Sequence, residues 1–351
     1  MSDPFIHLDG AYGEGGGQII RTALSLSAIG GRPFRLTNIR ARRENPGLRA
    51  QHVVAVRAVA ALCAAQVEGD QVGSRTLSFA PTSPPQAGNY CWDVGTAGSV
   101  SLIWQTILWP LAMASGRSTV QLSGGTHVEW SPPIDYLREV YLPVLTDLGL
   151  NAQVEIERWG YYPRGGGLIR AEVCGPTSLR GLRLTERGAL RGVLARSIVS
   201  NLPEHILQRQ AERAEFLLRK QGITPTIEML SPPSPGQGTA VWVCAEYRHV
   251  RAGFTAYGRL RKPAEEVAEE ACKAFVHYHR RQMPVDAHLA DQLLVPLALA
   301  AAHFPSEYAV EAVTAHLLTN AWVIEQFGAA HIEIEGQEGQ PGRVRIFATE
   351  G

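Results

Sequence analysis

His316 stands two residues after Thr314 in the stretch Thr314-Ala315-His316-Leu317-Leu318-Thr319-Asn320. A threonine cap there would open a helix and put the imidazole in its first turn. At that position the helix dipole disfavours the imidazolium and lowers the pKa, leaving a neutral ring nitrogen able to attack an electrophile. The same nitrogen could serve as a general base, a metal ligand or a plain capping group, and neither an H-x-x-x-H nor an H-E-x-x-H spacing supports zinc. A second candidate is Gly13-Glu14-Gly15-Gly16-Gly17-Gln18, which runs into a helical pattern carrying Arg21. Consecutive glycines let backbone approach a ligand closely, and the helix start after them favours an anion. The run lacks the Lys-Ser/Thr of a P-loop and the later acidic residue of a dinucleotide fingerprint, so a structural glycine turn is the competing reading. The third candidate is a crowd of Arg40, Arg42, Arg43 and Arg49, with Gln51 and His52 just beyond. Such a cluster is the right size for a phosphate, and a solvated basic face is its bland alternative.

Each of these residues needs an element to hold it. Three stretches share one plan of strands paired with two helices. The first has helical periodicity over 18–29, a strand over 34–39 and a second helix over 48–65. The second has a helix over 98–114, a strand over 118–123, a helix over 134–148 and a strand over 152–157. The third has a helix over 288–302, a strand near 308–312, a helix over 315–327 and a strand over 331–335. The second helix of each carries its own start signal: Asn45-Pro46-Gly47, Ser131-Pro132-Pro133 and Thr314-Ala315-His316. Three helix starts could converge on one anionic ligand, or be ordinary caps. Residues 182–283 break the plan, with a long helical pattern over 204–221 and a Pro-Gly-rich stretch at 231–238. They read as a smaller α/β domain inserted into a larger one formed by 1–181 and 284–351. The fold class is α/β (α+β), three repeated units plus the insert. Tyr162-Pro163-Arg164-Gly165-Gly166-Gly167 echoes the first glycine run without its glutamate and reads as a structural relic of the repeat.

The chain has 351 residues, 45% of them hydrophobic and 19% charged, which excludes disorder as its main state and a lone peptide-binding module. Lys+Arg and Asp+Glu are both 33, so any polyanion must be held by a local cluster rather than a global field. Five scattered cysteines, none in a C-x-x-C pair, argue against a disulfide framework and fit a reducing cytosol. No apolar run reaches the ~20 residues a membrane helix needs and no signal peptide opens the chain, so a cytoplasmic protein without a membrane role is expected. The sequence leaves the oligomeric state open.

Taken together, Asp9 to Gln18, the segment from Arg40 to His52, Ser123-Gly124-Gly125-Thr126, His288-Leu289-Ala290-Asp291-Gln292 and His316 to Asn320 resemble, in order and over nearly the whole chain, the RNA 3′-terminal phosphate cyclase family. The resemblance implies a fold of three βαβαββ-type repeats, similar to the C-terminal domain of a translation initiation factor, with a smaller inserted domain. It implies an ATP-dependent reaction on RNA bearing a 3′-phosphate, passing through a covalent histidine–AMP. On its terms His316 is the nucleophile and Glu14 helps hold a divalent Mg²⁺ or Mn²⁺. Arg21, Arg40, Arg43, Gln51 and His52 bind phosphates of ATP or of the RNA end. Gln105, Pro132, Phe254, His288, Leu289, Ala290, Asp291 and Gln292 line the ATP pocket, with Asp291 accepting from ribose hydroxyls.

One departure is His288, where members of the family carry a tyrosine against the adenine; an imidazole stacks with less area than a phenol ring. Two readings compete with the cyclase. One is the non-catalytic relative of the same fold that acts in ribosome assembly. The other is an enolpyruvyl transferase, which also binds anions through arginines. Both leave His316 and Asp291-Gln292 without work.

Overall fold

The computed structural model describes residues 3–349. The first sheet contains β1 (Ile6–Asp9), β2 (Phe34–Thr37), β3 (Gln66–Glu68) and β4 (Leu77–Ala80), with α1 (Gln18–Gly30) and α2 (Ala50–Cys63) in its connections. The second contains β5 (Asn89–Asp93), β6 (Gly116–Gly124), β7 (Asn151–Arg158) and β8 (Gly167–Gly175). Its helices are α3 (Val100–Met113), then α4 (Ile134–Tyr136), a π-helical turn at Leu137–Tyr141 and α5 (Leu142–Asp147). A short β9 (Arg183–Leu184) precedes a separate sheet of β10 (Leu190–Ser200), β11 (Thr226–Leu230), β12 (Gly238–Tyr247) and β13 (Arg251–Tyr257), packed on α6 (Glu204–Lys220) and α7 (Ala264–Arg281). The chain closes with α8 (Ala287–Gln292), α9 (Leu294–Ala300), β14 (Ser306–Val310), α10 (Ala315–Gln326), β15 (His331–Glu335) and β16 (Gly342–Phe347).

Three of the four sheets have one connectivity. In each, the first two strands run parallel, connected through α1 in the first sheet, through α3 in the second and through β10–β13 with α6 to α9 in the last; the second pairs antiparallel with the fourth, and the fourth with the third. The sheet of β10–β13 differs, with order β11-β10-β12-β13 and only its β10–β11 pair parallel. Arg183 and Leu184 pair with Glu307 and Tyr308, so this edge of the expected insert belongs to the last sheet instead. α1 and α3 are buried nearly all round: α1 packs on α2, α3 and α10, and Ile20, Leu24 and Ala28 are among its almost fully buried residues.

Several helix limits differ from the sequence pattern for identifiable reasons. α2 starts at Ala50 with Arg49 in the cap position, not at Asn45-Pro46. Gly47 holds a left-handed φ of 81°, and the Leu48 amide bonds to the Ser74 carbonyl, which commits that backbone to the neighbouring loop. Ser131 does not cap α4; its hydroxyl donates to the Val128 carbonyl and Pro133 occupies the cap position. The single helix expected over 288–302 breaks at Leu293, because Pro296 has no amide to give the Gln292 carbonyl and its ring crowds that oxygen. Thr314 does cap α10, its Oγ1 accepting from the Leu317 amide at 3.0 Å. Among the described residues no helix is long and apolar enough to cross a membrane, and all five cysteines are free thiols.

Candidate active site

A cleft of about 1570 Å³ lies where the first unit, the start of α10, α8 and the β10–β13 sheet meet. It gathers Glu14, Arg21, Arg40, Arg43, Gln51 and His52 from the first unit. Gln105 and Pro132 come from the second, Phe254 from β13, and His288, Asp291, Gln292 and His316 from the last. Two residues of the expected set stand apart: Leu289 and Ala290 are fully buried and do not line the cleft, since α8 turns those two positions into the core.

The floor is built by close approach of backbone to side chains. A Cβ on Gly17 would sit 2.4 Å from His52 Nε2 and 3.0 Å from an Arg21 guanidinium nitrogen, so only glycine leaves both side chains where they stand. The His52 ring closes the start of α2, its Nδ1 accepting from the Arg49 amide at 3.0 Å, which leaves Nε2 to carry the hydrogen. Burial, then the charges of Arg21, Arg40 and Arg49, push its pKa down to about 3, so His52 can offer a phosphate a neutral N–H donor and no charge. Arg21 is lowered to about 10 by burial and remains a cation. Arg40 spends one guanidinium nitrogen on the Asn45 and Gly47 carbonyls, both at 2.9 Å, and so shapes the arginine loop as well as charging it. Gln51 Oε1 accepts the Ser99 amide at 2.8 Å and ties the start of α3 to the first unit.

His316 is half exposed at the first turn of α10, its Nε2 2.8 Å from Glu14 Oε2. That neighbour overturns the expected pKa. The Glu14 carboxylate, helped by Asp291, raises His316 above the ordinary histidine value against burial and the charge of Arg21. Glu14 in turn is held below the usual carboxylate range, first by His316 and also by Arg43, which contacts its Oε1. The 2.8 Å approach is poorly aligned, and Oε2 is buried without a well-formed hydrogen bond. An orphaned carboxylate oxygen suits a hard cation. Among the described residues no three His, Cys, Asp or Glu cluster as a metal cage, so a cation at Glu14 would complete its shell with phosphate oxygens and water, as Mg²⁺ readily does.

The opposite wall is made by α8. Asp286 caps it, accepting from the His288 and Leu289 amides, both at 2.9 Å, and from the Tyr136 hydroxyl at 2.8 Å. The exposed His288 ring stands edge-on to Tyr136, centroids 6.4 Å apart. Gln105 Nε2 donates to Gln292 Oε1 at 2.7 Å, joining α3 to the break between α8 and α9. Asp291 is buried, which raises its pKa against the pull of His316, His288 and Arg21. Asn320 Nδ2 holds the Asp291 carbonyl at 2.8 Å. Phe254 packs on Phe275 and Tyr278 and shows the cleft an apolar face. Sequence reasoning passed over Tyr136, Asn320, Trp130, Tyr162 and Arg259, all of which line the cleft. The signal for Asn320 was in view within the His316 to Asn320 stretch. Tyr136 lies in α4, inside the helix expected over 134–148, and the other three sit in loops without periodicity.

A half-exposed histidine beside a lone carboxylate, with cations and glycine backbone converging on both, suits an enzyme of phosphoryl or nucleotidyl transfer, where positioning and charge neutralisation dominate. Comparison with known proteins narrows that class. The profile described as RNA 3′-terminal phosphate cyclase matches residues 12–334, and the chain belongs to that family of ligase-type enzymes. The RNA 3′-terminal phosphate cyclase of Gloeothece citriformis is 49% identical over 94% of this chain and 95% of its own. That of Methylococcus capsulatus is 49% identical over 98% and 97%, and that of Methanopyrus kandleri 42% over 97% and 98%. A solved structure, the enolpyruvyl transferase NikO from Streptomyces tendae, overlaps 48% of this chain and 33% of its own at 18% identity with a TM-score of 0.27, too slight a likeness to argue from.

Proposed function

We propose that this chain is an ATP-dependent RNA 3′-terminal phosphate cyclase acting through a covalent histidine–AMP on His316. The observation that carries the reading is the juxtaposition of His316 Nε2 with the Glu14 carboxylate, 2.8 Å apart, on a cleft floor lined by Arg21, Arg40 and Arg43. Once Nε2 of the half-exposed ring has released its proton to water, its lone pair attacks the α-phosphorus of ATP and the bond to the bridging oxygen breaks, releasing pyrophosphate. The arginines and the His52 N–H meet the charge on that leaving group. A divalent cation on Glu14 would neutralise part of the triphosphate charge. Next an oxygen of the RNA 3′-phosphate attacks the AMP phosphorus, the P–N bond breaks, and the electron pair returns to Nε2. The neighbouring 2′-hydroxyl then attacks the 3′-phosphorus and loses its proton. AMP leaves, and a 2′,3′-cyclic phosphate remains. Activation is needed because a phosphate oxygen leaves poorly and AMP leaves readily, while the 2′-hydroxyl is already in place.

On the nucleoside side, Gln105, Pro132, Phe254, His288 and Gln292 frame a slot for adenosine, with Asp291 facing the ribose. Leu289 and Ala290, packed in the core, lie behind this slot rather than in it. The shared connectivity of three sheets supports reading them as repeats like the initiation-factor domain, with the β10–β13 sheet as the insert. The free thiols fit a reducing cytosol. The test is incubation with α-labelled ATP and Mg²⁺ or Mn²⁺, followed by denaturation. Acid-labile, alkali-stable label on the polypeptide, absent from a folded His316→Ala, is the expected result. An unlabelled wild type that binds ATP would instead favour a non-catalytic RNA-binding relative.

A further inference from the structure

Two aromatic rings stand in solvent at the mouth of the cleft. Trp130 is 97% exposed and Tyr162 78%, and both line the same cleft as His316. A fully solvated indole forgoes the burial that ordinarily places large apolar side chains inside. Trp130 also holds a left-handed φ of 64°, uncommon for a bulky residue.

The base beneath the rings is rigid. The loop from β6 and the loop from β7 are joined by the Thr126 and His127 amides, which donate to the Gly160 carbonyl at 3.0 and 3.1 Å, and by the Gly160 amide, which donates to Thr126 Oγ1 at 2.9 Å. His127 Nε2 lies 2.8 Å from Asp135 in the interior, and Asp135 is also held by Arg196 of β10 at 2.8 Å. The Trp159 amide donates to the Pro233 carbonyl at 3.0 Å, and Gly238 lies flat against the Tyr161 ring. Two loops of the second unit and one of the insert thus converge to hold two unpartnered rings outward. The cleft around them carries both signs: Arg43, Arg49 and Arg259 are exposed on its wall with Arg40 half-buried, and Glu44, Glu129 and Glu270 line it as well.

We infer that Trp130 and Tyr162 form a stacking platform for the single-stranded nucleotides preceding the terminal 3′-phosphate, the flanking arginines taking the backbone charge. Exposed aromatics interleaved with cations are the means by which proteins hold unpaired nucleic acid without reading its sequence. The platform explains how a site whose chemistry touches one terminal phosphate and one ribose hydroxyl would still hold a long strand. It rests on the function proposed above, and the test separates the two.

The probe is a short single-stranded RNA ending in a 3′-phosphate, with 2-aminopurine at the penultimate position. Its fluorescence is followed on titration with wild type, Trp130→Ala, Tyr162→Ala and Trp130→Phe. Quenching is expected with wild type, with affinity about tenfold weaker and quenching reduced in each alanine variant, and partial recovery in Trp130→Phe. On the same preparations, the rate of cyclisation at low RNA should fall about tenfold relative to the rate of self-adenylation with ATP alone. Alanine variants that bind and quench as wild type does would overturn the platform whether or not the enzyme adenylates. A wild type that binds and quenches but never self-adenylates would leave the platform standing and sink the proposed function.

Discussion

Two glycine-rich loops in this chain have nearly the same composition and do different work. Gly13–Gln18 runs into the start of α1, and the peptide groups of Gly16 and Gly17 are pressed against Arg43, Arg21 and His52. Residues 162–167 run into strand β8, and there Gly165 and Gly167 are pressed against backbone: the Thr96 carbonyl, Ala97 and Gly160. Glycine in the first loop makes room for charged side chains at a helix end. In the second it lets three backbone segments touch. The element into which the glycines lead, helix or strand, decides whether they face a ligand or a neighbouring loop. The second loop is nevertheless more than a relic of the repeat, for it presents Tyr162 at the cleft mouth.

The sharpest way to break this contrast is to add one methyl group to each loop. Gly17→Ala keeps an ordinary φ of −71° but displaces His52 and Arg21, so self-adenylation should fall about 100-fold with little loss of thermal stability. Gly165→Ala must adopt a φ of 65° with its Cβ 2.7 Å from the Thr96 carbonyl, and should cost about 2 kcal/mol of stability while sparing self-adenylation at a temperature where the protein stays folded. Melting curves and labelling rates on both variants decide it, and a reversed pattern would show that the second loop belongs to the nucleotide site.

The parts legible beforehand were those written in local chemistry. The Thr314 cap, the glycine entry to α1 and the arginine cluster are all short-range patterns, and the cleft unites them. What escaped was long-range. The pKa of His316 rises because Glu14, some three hundred residues earlier, lies beside it, and a dipole argument confined to α10 had no access to that contact. Arg49 caps α2 because the Gly47 and Leu48 backbone is bonded to another loop, again a tertiary commitment. The helix break at Leu293 was locally readable from Pro296, whereas the exposure of Trp130 depends on three loops meeting.

The base of the second loop carries its own pH signature. Burial alone would raise the Asp135 carboxyl, but His127, Arg138 and Arg196 around it prevail and hold it at about 2, below the ordinary 3.8; Glu139 completes the cluster on Arg196. A carboxylate with a depressed folded pKa lends stability above its unfolded value and loses it as pH falls toward the folded value. That window runs from about pH 4 down to pH 2, and the lowering corresponds to about 2 kcal/mol. Denaturant unfolding of wild type should therefore weaken across the window. Asp135→Asn should be less stable at pH 6, since Arg196 loses a buried partner, and should lose distinctly less stability than wild type between pH 4 and 2, the slope that remains coming from other lowered carboxylates such as Glu14 and Asp93. A variant that retained the full acid slope would place the titrating group elsewhere.

The smallest effect expected is on the opposite wall of the cleft, at His288. Its ring meets Tyr136 edge-on at 6.4 Å and exposes its remaining area to the slot assigned to adenosine. Replacing it by tyrosine would enlarge the stacking face and leave Asp286, which caps α8 through backbone amides, undisturbed. The hydrogen bond from Tyr136 to Asp286 fixes the supporting ring in either case. His288→Tyr should therefore keep the rate of self-adenylation at saturating ATP and lower the KM for ATP a few-fold, about what one added aromatic contact provides. Because neither His316 nor the arginine loop is altered, a gain confined to KM would mark this wall as a binding surface that takes no part in the chemistry of the first unit. An unchanged or higher KM would remove His288 from the adenine slot and transfer the stacking role to Phe254 alone, on β13.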